Sequence, residues 1–408
     1  MPRSSFRHRY ACRALAALSV CVVLSGIPAA RAATVPAWVR PVPVDCSPSP
    51  NGTTHDVGPG YAKQNLADVD WNGLAPGDTV RIHWRAAPYR EKLILRSIGT
   101  AQAPVTVCGV RDPATGALPV LDAANATTRA DLDISPPSAN FSFEDYALLL
   151  VFRNDYFSKP AHIEIKGLEL RGAKGGVSYT ATDGSTRTYI DGAACLYVQE
   201  GDDIRIAGNR ITDCDNGVFT HSNPGEAQVV RRFTVAGNAI YANGRVNSWY
   251  EHNLYLQTMD VVVEYNYIGA LRPGALGDSL KDRSGATVIR YNNVDCTARC
   301  LDLIEPEEHW VMFSAADYLA IFPNPDPAEL AAVQAAELIY KTTPVQVYGN
   351  VIHNQASYGS AQMFNYGADN SPDHARRAPY FFFNNTVVIQ SDRTGQGGGG
   401  FYSLVLFD

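Results

Sequence analysis

Three short stretches of this chain hold residues able to act together as bases, acids and cations: Trp249-Tyr250-Glu251-His252-Asn253-Leu254-Tyr255, Asp278-Ser279-Leu280-Lys281-Asp282-Arg283 and Leu301-Asp302-Leu303-Ile304-Glu305. A lysine without its proton can take a hydrogen from carbon beside a carboxylate. An arginine, or a cation held by Asp302 and Glu305, can neutralise that carboxylate, and a histidine or tyrosine can protonate a departing oxygen. That division of labour makes Lys281, Arg283, His252 and Tyr255 the catalytic candidates. A lysine flanked by another cation has its charged form disfavoured, so Arg283 is expected to free Lys281 for service as a base. Asn253, Trp249, Tyr250 and Trp310 are the candidates for holding substrate, the aromatic ones by stacking on sugar rings. Each residue also has a plainer reading, as a solvated charge at a strand edge or a hydrogen-bonded histidine at a strand start.

Remote stretches share a site only if the fold stacks them, and a repeat in the sequence does so. The pattern apolar, any, apolar, two residues, Asn, any, apolar returns at Ile204-Ile206-Asn209-Ile211, Phe233-Val235-Asn238-Ile240, Val261-Val263-Asn266-Ile268, Thr287-Ile289-Asn292-Val294, Val345-Val347-Asn350-Ile352 and Tyr380-Phe382-Asn385-Val387. A seventh copy, Ile163, Ile165 and Leu170, carries Leu168 in place of the asparagine. The alternation is that of a strand buried on one face, and asparagine spacings of 29, 28 and 26 residues mark a repeat architecture. One unit cannot bury its own apolar face, whereas coils stacked about 4.8 Å apart bury a continuous column. Asparagine suits a tight corner because it tolerates left-handed backbone and its amide can bond to backbone or to the same residue one coil away. The fold class is all-β, a parallel β-helix. A leucine-rich horseshoe would need a helix per repeat, and a propeller would need longer units. Counting back twelve residues from Asn266 and from Asn292 aligns Leu254 with Leu280, with Leu301 on the next coil. With these leucines inward, Tyr255, Lys281 and Asp302 form one outward column, and His252, Arg283 and Glu305 lie near the strand ends.

The chain beyond its first 32 residues resembles the exported pectate-lyase-like right-handed parallel β-helix proteins of bacteria. Within it, Ser279-Leu280-Lys281-Asp282-Arg283-Ser284 leading to Ile289-Arg290-Tyr291-Asn292 is similar to the lysine-containing stretch of the alginate lyase and chondroitinase B family. The resemblance implies a polysaccharide lyase: Lys281 as the base, a nearby arginine assisting, Ca2+ held by acidic side chains, and an acidic, uronate-containing glycan cleaved by β-elimination. This chain is two residues longer between Lys281 and Arg290 than the family's pattern and has no Leu-Arg-His-Gly stretch downstream. Two other functions stay open. Asp213 and Asp215 alternate as if on one face of a strand, about 6.6 Å apart, which suits a glycoside hydrolase. A non-catalytic glycan-binding or adhesion solenoid would present the same surface residues, since this fold does not dictate chemistry.

Arg3, Arg7, Arg9 and Arg13 precede an apolar run from Ala14 to Ile27, and Ala30-Arg31-Ala32 forms a small-residue cleavage site, so residues 1–32 read as a secretory signal peptide. The run is too short for a permanent span, and no later segment is apolar enough to cross a membrane. The rest, 33–408, reads as a single β-helix domain, exported to the periplasm or beyond. It carries 29 basic against 41 acidic groups, a formal charge near −12 that argues against nucleic acid as a partner. Its six cysteines suggest disulfides, sequence-locally Cys46 with Cys108, Cys195 with Cys214 and Cys296 with Cys300. The interval from Asn292 to Asn350 is 58 residues and contains Asp326-Pro327-Ala328-Glu329, a helix start, which predicts an inserted loop and helix over about 313–341. The chain closes on the apolar strand Phe401 to Asp408, which suggests a truncated sequence, a partner chain or an unrecognised cap.

Overall fold

Each copy of the repeat folds into two strands around a corner, and a third strand returns the chain to the next coil. The computed structural model describes residues 36, 39–129, 143–153, 158–296, 299–354, 362–389 and 403–407, all within the unit Ala32–Asp408. A first sheet runs from Thr54–Val57 to Tyr380–Phe383, a second from Val120–Asp122 to Thr386–Ile389 and a third from Leu93–Leu95 to Ser403–Phe407, with parallel pairing along all three. The connections have the right-handed sense that parallel crossovers take. The chain is therefore a right-handed parallel β-helix. Inside, Ile163, Ile204, Phe233 and Val261 stack in one column and Ile165, Ile206, Val235, Val263, Ile289 and Val347 in the next, all buried. At about 25 cal/mol per Å² of apolar area removed from water, such columns are the main stabilising contribution.

The asparagines form a ladder through the corners. The Asn238, Asn266, Asn292, Asn350 and Asn385 Oδ1 atoms each accept the backbone N–H and the side-chain Nδ2–H of the asparagine one coil before, at 2.8–3.1 Å. Each amide also donates to a carbonyl of the preceding coil, for example Asn266 to Val235 at 2.9 Å. The ladder begins at Asn209, whose Oδ1 takes the backbone N–H of Leu168 at 2.9 Å. The left-handed residue is the one before each asparagine, Gly208, Gly237, Tyr265, Tyr291, Gly349 and Asn384, rather than the asparagine itself. The asparagine is selected for its amide. Because Asn266→Ala would strand donors on Asn238 and acceptors on Val235 and Asn292 in a dry corner, it is expected to cost about 2–4 kcal/mol. Urea unfolding measures this, and an unchanged midpoint would show that water replaces the rung.

The insertion contains two helices, α1 (Ala315–Ile321) and α2 (Pro327–Thr342), after a short turn Trp310–Phe313. Asp326 caps α2 through its bond to the Ala328 N–H at 2.8 Å, while Glu329 reaches instead to the Glu226 N–H at 3.0 Å and ties the helix to a coil. Phe313, Tyr318, Val333 and Tyr340 pack with Val229 and Met259 beneath. The disulfides are Cys46–Cys108, Cys195–Cys214 and Cys296–Cys300, with Cα separations of 5.7, 5.5 and 5.3 Å. Among the described residues no helix is long and apolar enough to cross a membrane. The signal-peptide reading falls on residues 1–32, outside the described residues. Ser403–Phe407 pairs in parallel with Gln362–Tyr366, and what covers Leu404 and Leu406 also lies outside the described side chains.

Candidate functional site

On the third sheet the register pairs Leu254 with Leu280 and Leu280 with Leu301, so Tyr255, Lys281 and Asp302 follow one another on adjacent coils. The leucines are fully buried, and their neighbours consequently face outward. A groove of about 420 Å³ opens over this column, lined by Trp249, Tyr250, His252, Tyr255, Asp278, Lys281, Arg283, Arg299, Glu307, Asp369 and Asn370. Lys281 Nζ lies 3.3 Å from Asp302 Oδ2 and 3.0 Å from Asp369 Oδ2. The Arg283 guanidinium reaches the same Asp369 oxygen at 3.3 Å, Glu307 at 3.2 Å and Glu305 at 3.5 Å. Two cations, one on the strand Leu280–Asp282 and one just past its end, thus converge on a single carboxylate. The Tyr255 hydroxyl donates to Glu307 Oε2 at 2.7 Å, and His252 sits edge-on to its ring at 5.2 Å. Trp249 and Tyr250 stand at the rim, 59% and 80% exposed, with faces free to stack.

The electrostatics reverse one expectation. Burial and Arg283 pull the Lys281 ammonium down, but Asp302 foremost, with Asp278 and Asp369, holds its proton above the ordinary lysine range. Arg283 alone does not decide it, because the carboxylates around Lys281 outweigh one neighbouring cation. His252 is held neutral, far below the usual imidazole range, first by burial and then by Lys281, Arg283 and Arg299. Its Nδ1 accepts the Asp278 backbone N–H at 2.8 Å, which assigns the ring proton to Nε2. Burial likewise raises the Tyr255 phenol, so it stays a proton donor. Burial, reinforced by the Asp302 charge, pushes the Asp278 carboxyl well above the usual carboxylate range.

Several expectations need correction. Asn253 does not face the groove: it is fully buried, absent from the groove lining, and donates to the Gly269 carbonyl at 2.7 Å while accepting from Asn243 at 2.9 Å, a corner brace out of reach of substrate. Trp310 lies in a neighbouring cleft, stacked on His374 at 3.9 Å. Asp213 and Asp215 do not alternate on a strand, because Asp213 turns through left-handed backbone at φ 60°. Asp213 pairs with Lys174 at 2.9 Å, and Asp215 accepts the N–H groups of Gly175 and Gly192 at 2.8 and 3.1 Å. Asp302 and Glu305 do not fit a Ca2+ ion. Asp302 is taken by Arg299 at 2.7 Å, Asn365 at 3.0 Å and Lys281, and Glu305 by the backbone N–H groups of Asp369, Asn370 and Ser371 at 2.9, 2.8 and 2.8 Å. Cations and N–H groups already neutralise both carboxylates, the opposite of a ligand shell. Among the described residues no cluster of three or more His, Cys, Asp or Glu is arranged to hold a metal.

Sequence reasoning missed Asp369, Glu307, Arg299 and Asp278 as groove residues. Asp278 and Arg299 lie within three residues of the aligned strands, so the register carried a signal for them. Asp369 comes from a segment 88 residues beyond Lys281, past the insertion, where no repeat marks it. That segment is clamped at both ends, by Glu305 at residues 369–371 and by buried Arg376, which bonds to the Ile304 carbonyl at 3.2 Å and the Asp282 carboxylate at 3.1 Å.

No family model matches this chain, and no curated protein matches it. Among solved structures it is similar to an alginate lyase from Paenibacillus sp. str. FPU-7, with 14% identity over 79% of this chain and 93% of that one and a TM-score of 0.35. It is also similar to rice weevil pectin methyl esterase, with 12% identity over 86% and 92% of the two chains and a TM-score of 0.39. A GH136 lacto-N-biosidase from Eubacterium ramulus matches at 12% identity over 83% and 68%, with a TM-score of 0.29. Likenesses of this order concern the path of the chain and say nothing of the groove.

Proposed function

We propose that the protein is an exported polysaccharide lyase that cleaves a uronate-containing glycan by β-elimination in the groove over Lys281. The carrying observation is that Lys281 and Arg283 converge on one carboxylate, Asp369, whose side chain is 36% exposed. A uronate carboxylate offers the same group to the same two cations. With its charge neutralised there, the hydrogen on the adjacent carbon becomes acidic enough to remove. The Lys281 amine takes that hydrogen, the bond to the glycosidic oxygen breaks, and Tyr255 gives its phenolic proton to the departing oxygen. Proton return from Lys281 to Tyr255 restores the site. His252, neutral and carrying its proton on Nε2, orients a substrate oxygen and is not the base. Three disulfides fit an oxidising, exported setting. Screening the purified protein against alginate, pectate, glucuronan and glycosaminoglycans for the ultraviolet absorbance of an unsaturated uronate tests the reading, and no absorbance on any acidic glycan overturns it.

The raised Lys281 proton affinity makes a pH prediction. The base acts only without its proton, and carboxylates hold that proton, so kcat/KM should climb with pH at unit logarithmic slope through the neutral to alkaline range. Asp369→Asn removes one of those carboxylates and should move the profile to lower pH. A profile that falls with rising pH, or one unmoved by Asp369→Asn, would remove Lys281 from the role of base. One observation favours hydrolysis as a second reading: Asp278 lines the groove wall and burial raises its proton affinity, the direction that suits a carboxyl protonating a glycosidic oxygen. New reducing ends without ultraviolet absorbance, lost in Asp278→Asn, would select it.

A further inference from the structure

The corner between the first and second sheets holds a second arrangement, away from the groove on the third. The residue before the ladder position, Leu168 in the first of these coils and asparagine in the others, is left-handed at Gly167, Gly208, Gly237, Tyr265, Tyr291 and Gly349, with φ of 71°, 62°, 65°, 56°, 56° and 67°. Glycine takes this conformation freely and tyrosine only against steric resistance. The glycines have a visible reason: residues 42–44 run along the corner, where Val42 donates its N–H to the Gly237 carbonyl at 2.8 Å. A Cβ at Gly208 would stand 2.5 Å from Val44, and one at Gly237 2.8 Å from Val42. Tyrosines replace glycine on the two coils that follow this covered stretch, and burial does not account for them, since Tyr265 is 55% and Tyr291 46% exposed.

Their rings stack at 5.3 Å with planes 19° apart. The row continues from Tyr291 edge-on to Tyr348 at 5.5 Å, and from Tyr348 stacked on Phe383 at 4.9 Å, where Phe383 is 43% exposed. Gly349 makes room for the Tyr291 ring, which a Cβ there would approach to 2.6 Å, so that ring lies over the corner of the next coil. Beside the row Arg290 bridges Glu264 at 2.9 Å and the Tyr348 hydroxyl at 3.1 Å.

We propose that Tyr265, Tyr291 and Phe383 form a second binding site, a platform for successive pyranose rings of a linear polysaccharide. The row continues the track that residues 42–44 already occupy as an extended chain, and it runs along the solenoid axis as a linear polymer would. A pyranose presents a C–H face to an aromatic ring and hydroxyls at its edge, which matches half-exposed aromatic rings beside phenol hydroxyls and the Arg290–Glu264 pair. An apolar protein segment would take the Arg290–Glu264 pair out of water without offering it further hydrogen bonds, whereas sugar hydroxyls supply them. The platform requires only that the protein meets a polysaccharide and does not depend on the chemistry assigned to the groove.

The test uses the full chain carrying Lys281→Ala, so that turnover cannot consume the probe, in affinity electrophoresis through gels containing alginate, polygalacturonate, glucuronan or chondroitin sulfate. Adding Tyr265→Gly and Tyr291→Gly, the residue that other coils carry at this corner, is expected to weaken retention about tenfold while the thermal midpoint stays level or rises. In the background with Lys281 intact, the same pair should leave kcat on short oligosaccharides unchanged. Equal retention with and without the tyrosines, or no retention of either chain on any gel, would overturn the platform. Retention that needs the tyrosines in a protein that never cleaves the polymer would sustain it while removing the lyase reading.

Discussion

Lys281→Ala is expected to lower kcat/KM on the cleaved glycan by about 10³-fold, the scale of losing a general base in a preorganised site. The ammonium sits between Asp302, fully buried, and Asp369, at 3.3 and 3.0 Å. Truncation therefore removes both the group that takes the hydrogen and half of the charge that receives the substrate carboxylate. The fold should survive, because Asp302 keeps Arg299 at 2.7 Å and Asn365 at 3.0 Å. Lys281→Arg separates the two contributions: it restores charge but not a titratable amine, so it should recover KM and leave kcat low. Initial rates from product absorbance check this. Near-parental kcat/KM in a folded Lys281→Ala chain would end the proposed chemistry.

Arg376→Leu carries the largest expected effect on stability. Arg376 is buried and its guanidinium bonds to the Asp282 carboxylate at 3.1 Å, Thr287 Oγ1 at 3.2 Å and the Ile304 carbonyl at 3.2 Å, with a further short contact to the Ser284 carbonyl. Asp282, fully buried, keeps Thr287 Oγ1 at 2.6 Å and the Ser284 N–H at 3.1 Å but would lose its only cation partner among the described residues. An uncompensated buried charge of this kind costs about 3–5 kcal/mol. Asp282 also follows Lys281 in the strand, and Arg376 ends the segment that presents Asp369, so activity should fall with stability. Asp282→Asn combined with Arg376→Leu removes the stranded charge and should recover part of the loss in a double-mutant cycle read by urea unfolding. Additive losses in the pair would mean that Arg376 acts through its carbonyl contacts.

The parts of the site legible beforehand were those the repeat indexes. Tyr255, Lys281 and Asp302 belong to aligned strands, and a register set by buried leucines allows no slip without exposing them. Residues outside that index went astray. Asn253 stands beside strand residues in the sequence, yet the strand begins one residue later and its amide closes a corner. Asp213 and Asp215 alternate in sequence, and one left-handed residue takes the pair off the strand. Trp310 follows Glu305 closely in the sequence, and the turn at Trp310–Phe313 carries it to the next cleft.

From its amino acids alone this chain determines a stacked coil, because period-two alternation and recurring asparagines leave one economical way to bury the apolar faces and satisfy the corners. It also determines which strand residues share a wall, whereas six cysteines allow fifteen pairings and the fold selects one. Protonation was decided by the tertiary structure. Whether Lys281 holds its proton depends on Asp302 one coil away and Asp369 from 88 residues downstream, and Coulomb energies at 3 Å in a half-buried groove outweigh anything a neighbouring arginine in the sequence suggests.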